Sequence, residues 1–487
     1  MPRLPALHCL AIGPPARPGL SDNASVPSLD GLPDEIIDQI FRKLPLPDDG
    51  KSAASQTFRR ASQQQWLVQL LPAVESLIQQ LRGLYIMPGS PLPLDDSNMR
   101  QFYFQGYELY RDTVAKKICM CFDVDIQLAL NYVNRGREAA MAWDGLWDEL
   151  CEIVKNSTAG LPDGVLVVFN LKCDRAPGGM VGPGRLDQLE WLTWLQKAQE
   201  TVPQCIRTII NFSCGYNPTG VDSLDLSNVP GLLAIGDEAF ADMRVPVTLG
   251  AHEYLQLIGP RAFQFATKVG LPLKSAQLHT IDYDAFRAAS DVTGLSRLSG
   301  LRKIGARSFS LAFGAASPQN QCADLTTMKD LEVIGDTAFM SARHCKFGSS
   351  QDLHTIGAGA FRTVKEAGLC GLTGLRTIDD EAFLHARTVE FGNHPDLHTI
   401  GVAAFQSADT VDLRGLAGLR EVRHAAFQYT PAAKFGEHPE LLSIEERAFA
   451  SVEKETTVSA NNKCQLGAQN PNIVLLPLSN RRIPPFY

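Results

Sequence analysis

Apolar residues recur at fixed positions through the second half of the chain. In ten segments a Leu is followed three residues later by an Ile or Val, and eight residues later by a Phe that has an Ala or Ser directly before it. The steps between successive phenylalanines are 23, 23, 23 and 30, and then 22 five times. Positions that stay apolar at such a period are expected to form the core of a solenoid, in which each coil packs on its neighbours. The ten phenylalanines are Phe240, Phe263, Phe286, Phe309, Phe339, Phe361, Phe383, Phe405, Phe427 and Phe449.

Each coil is predicted to contain short strands and one helical turn, because about 22 residues are too few for two helices. The strand is placed just before an apolar residue that follows the Phe by eight positions, as in Thr388-Val-Glu-Phe391. Side chains alternate along a strand, so Val389 should point inward and Glu390 outward. The outward positions of successive coils then form a row with steps of about 4.8 Å. This predicted row is Asp324, Lys346, Gly368, Glu390, Asp412 and Lys434, and its charged members are the predicted partner-binding residues.

The repeated motif Leu-x-x-Ile-Gly-x-x-Ala-Phe resembles the BspA-type subclass of leucine-rich repeats. The resemblance covers roughly residues 222–450. It implies a curved solenoid that binds other proteins and carries out no catalysis. The Gly after the Ile is present in six copies and is replaced by Asp282, Asp379, Arg423 and Glu445 in the others, so this position is not predicted to need a left-handed backbone.

Composition and charge exclude several classes of function. The chain has 487 residues, of which 45% are hydrophobic and 20% are charged, and this balance is typical of a globular protein with two to four domains. Its formal net charge is −8 and it has no basic run, which argues against binding to nucleic acid phosphates. No apolar run reaches the roughly 18 residues that a membrane helix needs. Eleven cysteines without CxxC pairs favour reduced thiols in a reducing compartment.

No cofactor or metal site is predicted. His394 and His438 occupy equivalent repeat positions two coils apart, about 9.5 Å by strand spacing. That separation is too large for a shared zinc ion, whose nitrogen ligands lie within about 2.1 Å of it. These two histidines are therefore interpreted as turn residues, and His354 and His398 as surface residues of strands.

An amphipathic helix is predicted near the N-terminus, in residues 32–44, followed by a second helical stretch in residues 52–70. The opening Leu-Pro-x-Glu-Ile, the Ile-Phe-x-x-Leu that follows and a later Ser-x-x-Phe-Arg resemble an F-box. The resemblance implies that these helices bind a groove of the Skp-type adaptor of an SCF ubiquitin ligase. An ordinary hairpin packed on the following helices is the alternative. The predicted adaptor-binding residues are Leu32, Pro33, Ile36, Ile37, Ile40, Phe41, Leu44 and Phe58.

The predicted fold is an α+β multidomain arrangement. Residues 67–205 are interpreted as a separate, mixed helical domain, since they contain four of the five tryptophans while the repeats contain none. Within them, residues 139–154 have the apolar spacing of a helix and residues 164–171 that of a buried strand. The predicted boundaries are a disordered leader at 1–30, F-box-like helices at 31–66, the helical domain at 67–205, the repeats at 206–460 and a C-terminal cap at 461–487.

Three functions are open at this point. The first is an adaptor, in the cytoplasm or, for a secreted bacterial effector, in the host cytoplasm, that links a Skp-type protein to a substrate held by the repeats. The second is a leucine-rich-repeat binding protein with no connection to ubiquitin. The third is a cysteine ubiquitin ligase, for which Cys121-Phe-Asp123 is the candidate motif.

Overall fold

The computed structural model describes fifteen stretches of the chain, and all of them lie in one compact unit, Ala73–Tyr487. The predicted leader and the F-box-like segment, including its eight candidate residues, lie outside the described residues. The described stretches are 75–84, 86–88, 99–104, 107–112, 117–125, 129, 134–135, 143–159, 165–172, 204–211, 222–229, 231–272, 277–313, 322–453 and 455–478.

The first part of the unit is built mainly from strands. Strands β2, β3 and β4 are antiparallel, β1 pairs with β4 beside β3, and β4, β5 and β6 are parallel to one another. Residues 75–83 are helical. The elements are β1 (Met87–Pro88), β2 (Met99–Phe104), β3 (Tyr107–Asp112), β4 (Lys117–Asp125), α1 (Trp143–Thr158), β5 (Val165–Lys172) and β6 (Ile206–Asn211).

Continuous apolar runs explain why β4 and β5 lie inside the sheet with both faces covered. On one face Phe122 lies beside Phe169, with ring centroids 6.3 Å apart. Helix α1 packs on this face, because Leu146, Leu150 and Val154 recur at helical spacing and are fully buried. Trp147 of the same helix meets the Phe169 ring edge to face at 5.9 Å. The predicted helix at 139–154 and strand at 164–171 are thus confirmed.

In the described residues of 67–205, the predicted mixed helical domain, the sheet continues into the repeats, because β5 pairs in parallel with β6. Strand β6 pairs in parallel with Leu232–Ile235, the first strand of the repeats, and the same sheet continues to Gln465–Leu466. This main sheet contains seventeen strands. The described residues before 206 therefore form larger strand-and-helix units at the start of the solenoid, because the same sheet face serves both parts as a core.

Two short strands recur in the described repeats, and the sequence pattern located one of them. The first is a short strand at the conserved Ile, as in Thr377–Ile378, and these strands form the main sheet. The second is the predicted strand, as in Thr388–Glu390. The second strands form sheets of four, six and three members, and the six-stranded sheet contains Cys322–Leu325, His344–Phe347, Glu366–Gly368, Thr388–Glu390, Thr410–Asp412 and Ala432–Lys434.

A continuous stack of phenylalanine rings forms the centre of the core. All ten repeat phenylalanines are fully buried. Successive rings are nearly parallel, with centroids between 4.9 and 5.4 Å apart and interplanar angles between 2° and 14°. The backbone follows the same pattern, since the N–H of Phe405 donates to the carbonyl of Ala426 in the next coil at 2.7 Å. The predicted core positions are therefore confirmed.

Turns replace the predicted helical turn around each Phe. Around Phe383, for example, Glu381 has φ of 56° and His385 has φ of 63°. Among the described repeats the helical residues are confined to the 3-10 segment Leu295–Arg297. The Gly after the Ile has no positive φ, as the sequence indicates. A glycine is needed there because the backbone of the previous coil lies too close for a Cβ. A Cβ on Gly305 would lie 2.6 Å from the carbonyl carbon of Asp282 in the previous coil.

The described part of the predicted C-terminal cap forms one more coil. Gln465–Leu466 pairs with Ser443–Ile444 and extends the main sheet. Ile473–Pro477 pairs with Thr456–Ala460 and extends the second set of strands. The solenoid therefore continues past the tenth Phe, with the same hydrogen-bonding pattern but without a Phe.

Candidate functional site

The predicted partner-binding residues lie on one surface of the six-stranded sheet, called here the ladder face. Asp324, Lys346, Gly368 and Glu390 are register partners on four successive strands, and Asp412 is the partner of Lys434. Their burial also follows the predicted alternation, since Cys345, Ala367 and Val389 point inward and are buried. The row is therefore where the sequence places it, and its charged side chains are exposed or partly exposed.

A second row on the ladder face was not predicted from the sequence. It lies two residues earlier on each strand and places Cys322, His344 and Glu366 side by side. His344 Nδ1 is 3.2 Å from Glu366 Oε2. Thr388 and Thr410 continue this row over the next two strands. The spacing of 22 residues between these positions is present in the sequence. Only the bounds of the strands in the structure show that their side chains share the outer face.

Two shallow depressions, of about 680 and 610 Å³, run along the ladder face and share Thr388 and Glu390. The first extends from Cys322 to Glu390 and the second from Thr388 to Lys434. Gly368 lines the first depression, and a Cβ built there would have no atom within 4 Å. The missing side chain therefore leaves open space in the first depression. The two depressions adjoin at Thr388 and Glu390 and are together called here the groove.

Charge on the face is held in place by local contacts. The Arg414 guanidinium lies 2.5 Å from the Asp412 carboxylate. The hydrogen bond from Arg414 lowers the pKa of Asp412 below its usual value, and the nearby charge of Lys434 acts in the same direction. Asp412 is therefore ionised at neutral pH. The pair contributes little to stability, since both side chains are in solvent, but it orients a carboxylate at the end of the groove.

Cys322 and Cys345 are not activated nucleophiles. Burial raises the pKa of Cys322, and a similar effect raises the pKa of the fully buried Cys345 well above its usual value. Cys121 is 3% exposed and lies in an apolar cluster with Leu166 and Val168. Because a reactive cysteine needs an accessible thiolate, the interpretation of Cys121 as a catalytic residue has no structural support.

His394 and His438, interpreted as turn residues, each directly precede a two-residue turn, and both are fully buried. Each lies three residues before a core Leu, a position occupied by Leu372 and Leu416 in the intervening coils. His438 Nδ1 donates to the Leu416 carbonyl at 3.0 Å, and the Gly436 N–H donates to Nε2 at 3.3 Å. These histidines pair with backbone groups inside the core. His354 and His398 are partly exposed beside the short strands.

Neither a metal site nor a membrane helix is found in the described stretches. No three His, Cys, Asp or Glu side chains there are grouped so that they would hold a metal ion. No helix in the same stretches has both the length and the apolar character to cross a membrane.

Comparison with known proteins matches the solenoid. A family model described as the BspA type leucine-rich repeat region (6 copies) matches residues 208–314, 315–412 and 376–468, which together span more than half of the 487 residues. No curated protein is significantly similar to the chain.

Two solved structures also match. One is a leucine-rich repeat protein from Bacteroides ovatus ATCC 8483, with 15% identity over 49% of this chain and 78% of that chain, and a TM-score of 0.30. The other is a leucine rich cell surface protein from Faecalibacterium prausnitzii A2-165, with 11% identity over 81% of this chain and 96% of that chain, and a TM-score of 0.23. At these scores neither match carries an argument about binding.

Proposed function

We propose that this chain, which belongs to the BspA-type leucine-rich repeat family, is a protein-binding scaffold whose ladder face holds a partner. The observation that carries the proposal is the pair of in-register outward rows with an open groove at Gly368. The proposed role requires no chemistry by the chain itself, and it is the function of a binding protein without a connection to ubiquitin.

A rigid face suits this role. Side chains on adjacent strands are held about 4.8 Å apart, so a partner meets charges in a fixed pattern. The stacked core behind the face, from Phe339 to Phe427, limits rearrangement of the strands. A surface that is ordered before binding loses less conformational entropy in the complex. The mixed charges of Lys346, Glu390 and Asp412 then select partners by complementarity more than they add affinity.

Site-specific photo-crosslinking tests the proposal. A benzoyl-phenylalanine is placed at Gly368, where the structure has open space, and separately at Thr355, which is exposed on the main sheet. In extracts of the cells that naturally make the protein, we expect an adduct from position 368 and not from position 355. The adducted protein is identified by mass spectrometry and its affinity is then measured with both proteins purified.

A blocking variant gives the second arm. Gly368→Tyr should fill the groove and weaken the purified complex at least tenfold, since a buried contact would be displaced. Gly270→Tyr is the matched control, because Gly270 lies on the four-stranded sheet and a Cβ there makes only ordinary contacts at 3.8 Å. Equal crosslinking from positions 355 and 368, or a Gly368→Tyr protein that binds normally, would contradict the proposal.

A second candidate function is the cytoplasmic adaptor, supported by the F-box-like sequence of residues 32–58 alone. Its test is capture of a purified Skp-type adaptor by the full chain, beside the double variant Leu32→Ala, Pro33→Ala. Capture that is lost in the variant would support the adaptor function. Absence of capture by either protein would leave the scaffold as the only proposed function.

A further inference from the structure

The last described coil leaves apolar inner positions uncovered. Leu466 is the register partner of Ile444 and takes the position of the repeated Ile, yet it is 39% exposed where Ile444 is 1% exposed. Leu475 is likewise partly exposed, although its register partner Val458 is fully buried. In the inner coils the next coil covers these positions. The described solenoid therefore ends on a part of its own core.

The strand Ile473–Pro477, called here the terminal strand, also changes the outer surface of its sheet. Its outward residues are Val474 and Leu476, which are 37% and 43% exposed. Their register partners in the previous coil are polar, Thr457 and Ser459. Terminal coils of repeat proteins need a polar outer surface to remain soluble. The terminal strand has the opposite character, which is typical of a surface that a protein covers.

One edge of the terminal strand is open. Among the described strands it pairs with Thr456–Ala460 alone. The Thr456 N–H donates to the Asn472 carbonyl at 2.8 Å, so the even-numbered residues that follow direct their backbone groups to the previous coil. Leu475 then directs its N–H and carbonyl to the open edge. Such an edge is a template for another strand, and the terminal strand has no charged side chain to prevent the pairing.

A second copy of the same strand fits this edge. In an antiparallel pair centred on Leu475, Val474 of each copy lies opposite Leu476 of the other, so both outward residues gain an apolar cross-strand neighbour. Leu475 lies on the two-fold axis, where the two copies exchange N–H···O bonds. The residues that follow in the sequence are poorer partners, because Pro484 and Pro485 lack the N–H that an added strand donates.

We propose that the terminal strand is a self-association surface, through which two copies of the chain pair end to end about a two-fold axis. The interface is isologous, since each copy contributes the same strand. The pairing continues the sheet from one copy into the other and brings their two uncovered core ends together. Both terminal strands are then paired, so association stops at a dimer. The ladder face belongs to a different sheet, so this inference does not depend on the function proposed above.

Sedimentation velocity of the full chain tests the inference, over about 1 to 100 µM because small interfaces associate weakly. We expect a monomer that converts to a dimer as the concentration rises, without larger species. The double variant Val474→Lys, Leu476→Lys places like charges opposite one another in the antiparallel pair. It should weaken the dimer about tenfold or more.

A variant with opposite charges tests the antiparallel arrangement itself. Val474→Lys, Leu476→Glu removes the same two apolar side chains, but each introduced lysine then faces an introduced glutamate of the other copy. Its dimer should be about tenfold or more stronger than that of the Lys-Lys variant. The matched control is Val333→Lys, Tyr429→Lys, which adds the same charge at exposed apolar residues of other coils and should leave the dimer unchanged. Circular dichroism and melting temperature verify that all variants are folded.

Any of five outcomes would overturn the inference. A chain that stays monomeric at every concentration, or a dimer that persists in the Lys-Lys variant, would show that the terminal strand does not mediate association. Equal weakening in the Lys-Lys and Lys-Glu variants would exclude the antiparallel pair. Equal weakening in the control would indicate a net-charge effect, and species larger than a dimer would indicate aggregation through apolar surface. The concentration series on the unaltered chain needs no variant, so a variant that misfolds leaves the inference testable.

Discussion

The side-chain Oδ1 of Asn470 accepts a hydrogen bond from the backbone N–H of Phe449 at 2.7 Å. In the inner coils the same bond is accepted by a backbone carbonyl, as when the Phe427 N–H donates to Ala448 at 2.8 Å. Asn470 also donates from Nδ2 to the carbonyls of Glu445 and Gly467. One buried side chain thus accepts the hydrogen bond that a backbone carbonyl of a further coil would accept. The backbone N–H of Phe449, the last ring of the stack, is therefore paired.

Asn470→Ala should destabilise the chain by about 1–3 kcal/mol, because it leaves the buried Phe449 N–H without an acceptor. Urea unfolding followed by tryptophan fluorescence and circular dichroism measures the loss. Asn462→Ala is the control, since Asn462 is exposed on the same coil. Equal midpoints for the two variants would show that Asn470 does not close the stack.

Phe405→Ala should cost about 3–5 kcal/mol, because it opens a cavity in the centre of the stack. The ring lies 5.2 Å from that of Phe383 and 5.3 Å from that of Phe427, and it is fully buried. Tyr429→Ala, an exposed aromatic residue, should change the melting temperature little. A Phe405→Ala protein that melts with the unaltered chain would refute the core assignment.

Stability should fall in mild acid. Burial lowers the pKa of His252, His394 and His438 below the ordinary 6.5, and it outweighs the contacts with backbone carbonyls that raise it. In the unfolded chain these histidines bind protons as the pH falls through about 6.5, while the folded chain still excludes them. The stability that these three histidines contribute is therefore fully present above about pH 6.5, and it declines as the pH falls towards their lowered pKa values.

Unfolding free energies at pH 7.5 and pH 5.0 measure this dependence. The double variant His394→Leu, His438→Leu should lose less stability between these two pH values, because two of the buried histidines are gone. The variant should fold, since Leu372 and Leu416 already occupy the same repeat position and fit the core. His385→Leu, at an exposed site, is the control. An unchanged pH dependence in the double variant would exclude the buried histidines as its source.

Removal of Arg307 should cost more than removal of a surface arginine. Asp284 is 4% exposed, and Arg307 donates to both of its carboxylate oxygens, at 3.0 and 2.7 Å. Arg307→Ala leaves a buried carboxylate with a weaker partner, and we expect a loss of about 1–3 kcal/mol. Arg362→Ala breaks a more exposed pair with Glu381 and should cost less than about 1 kcal/mol. Thermal unfolding of both variants measures the two losses of stability, and equal losses would contradict the prediction.

The sequence by itself determined the solenoid, its phenylalanine core and the register of Asp324, Lys346 and Glu390. These follow from sequence because every coil must bury the same apolar face on its neighbours, so core residues recur at one period and the strand alternation assigns the outward ones. The family match over residues 208–468 agrees with that pattern.

Only the tertiary structure decided the rest. The segment before residue 206 has no period, and its continuity with the main sheet depends on the pairing of Val167 with Ile206. Apart from Leu232–Ile235, the strands at the repeated Ile or Val have two residues and are too short to show alternation. The depth of His394 is set by neighbouring coils. Burial and proximity of this kind arise between residues far apart in the chain, so no local pattern records them.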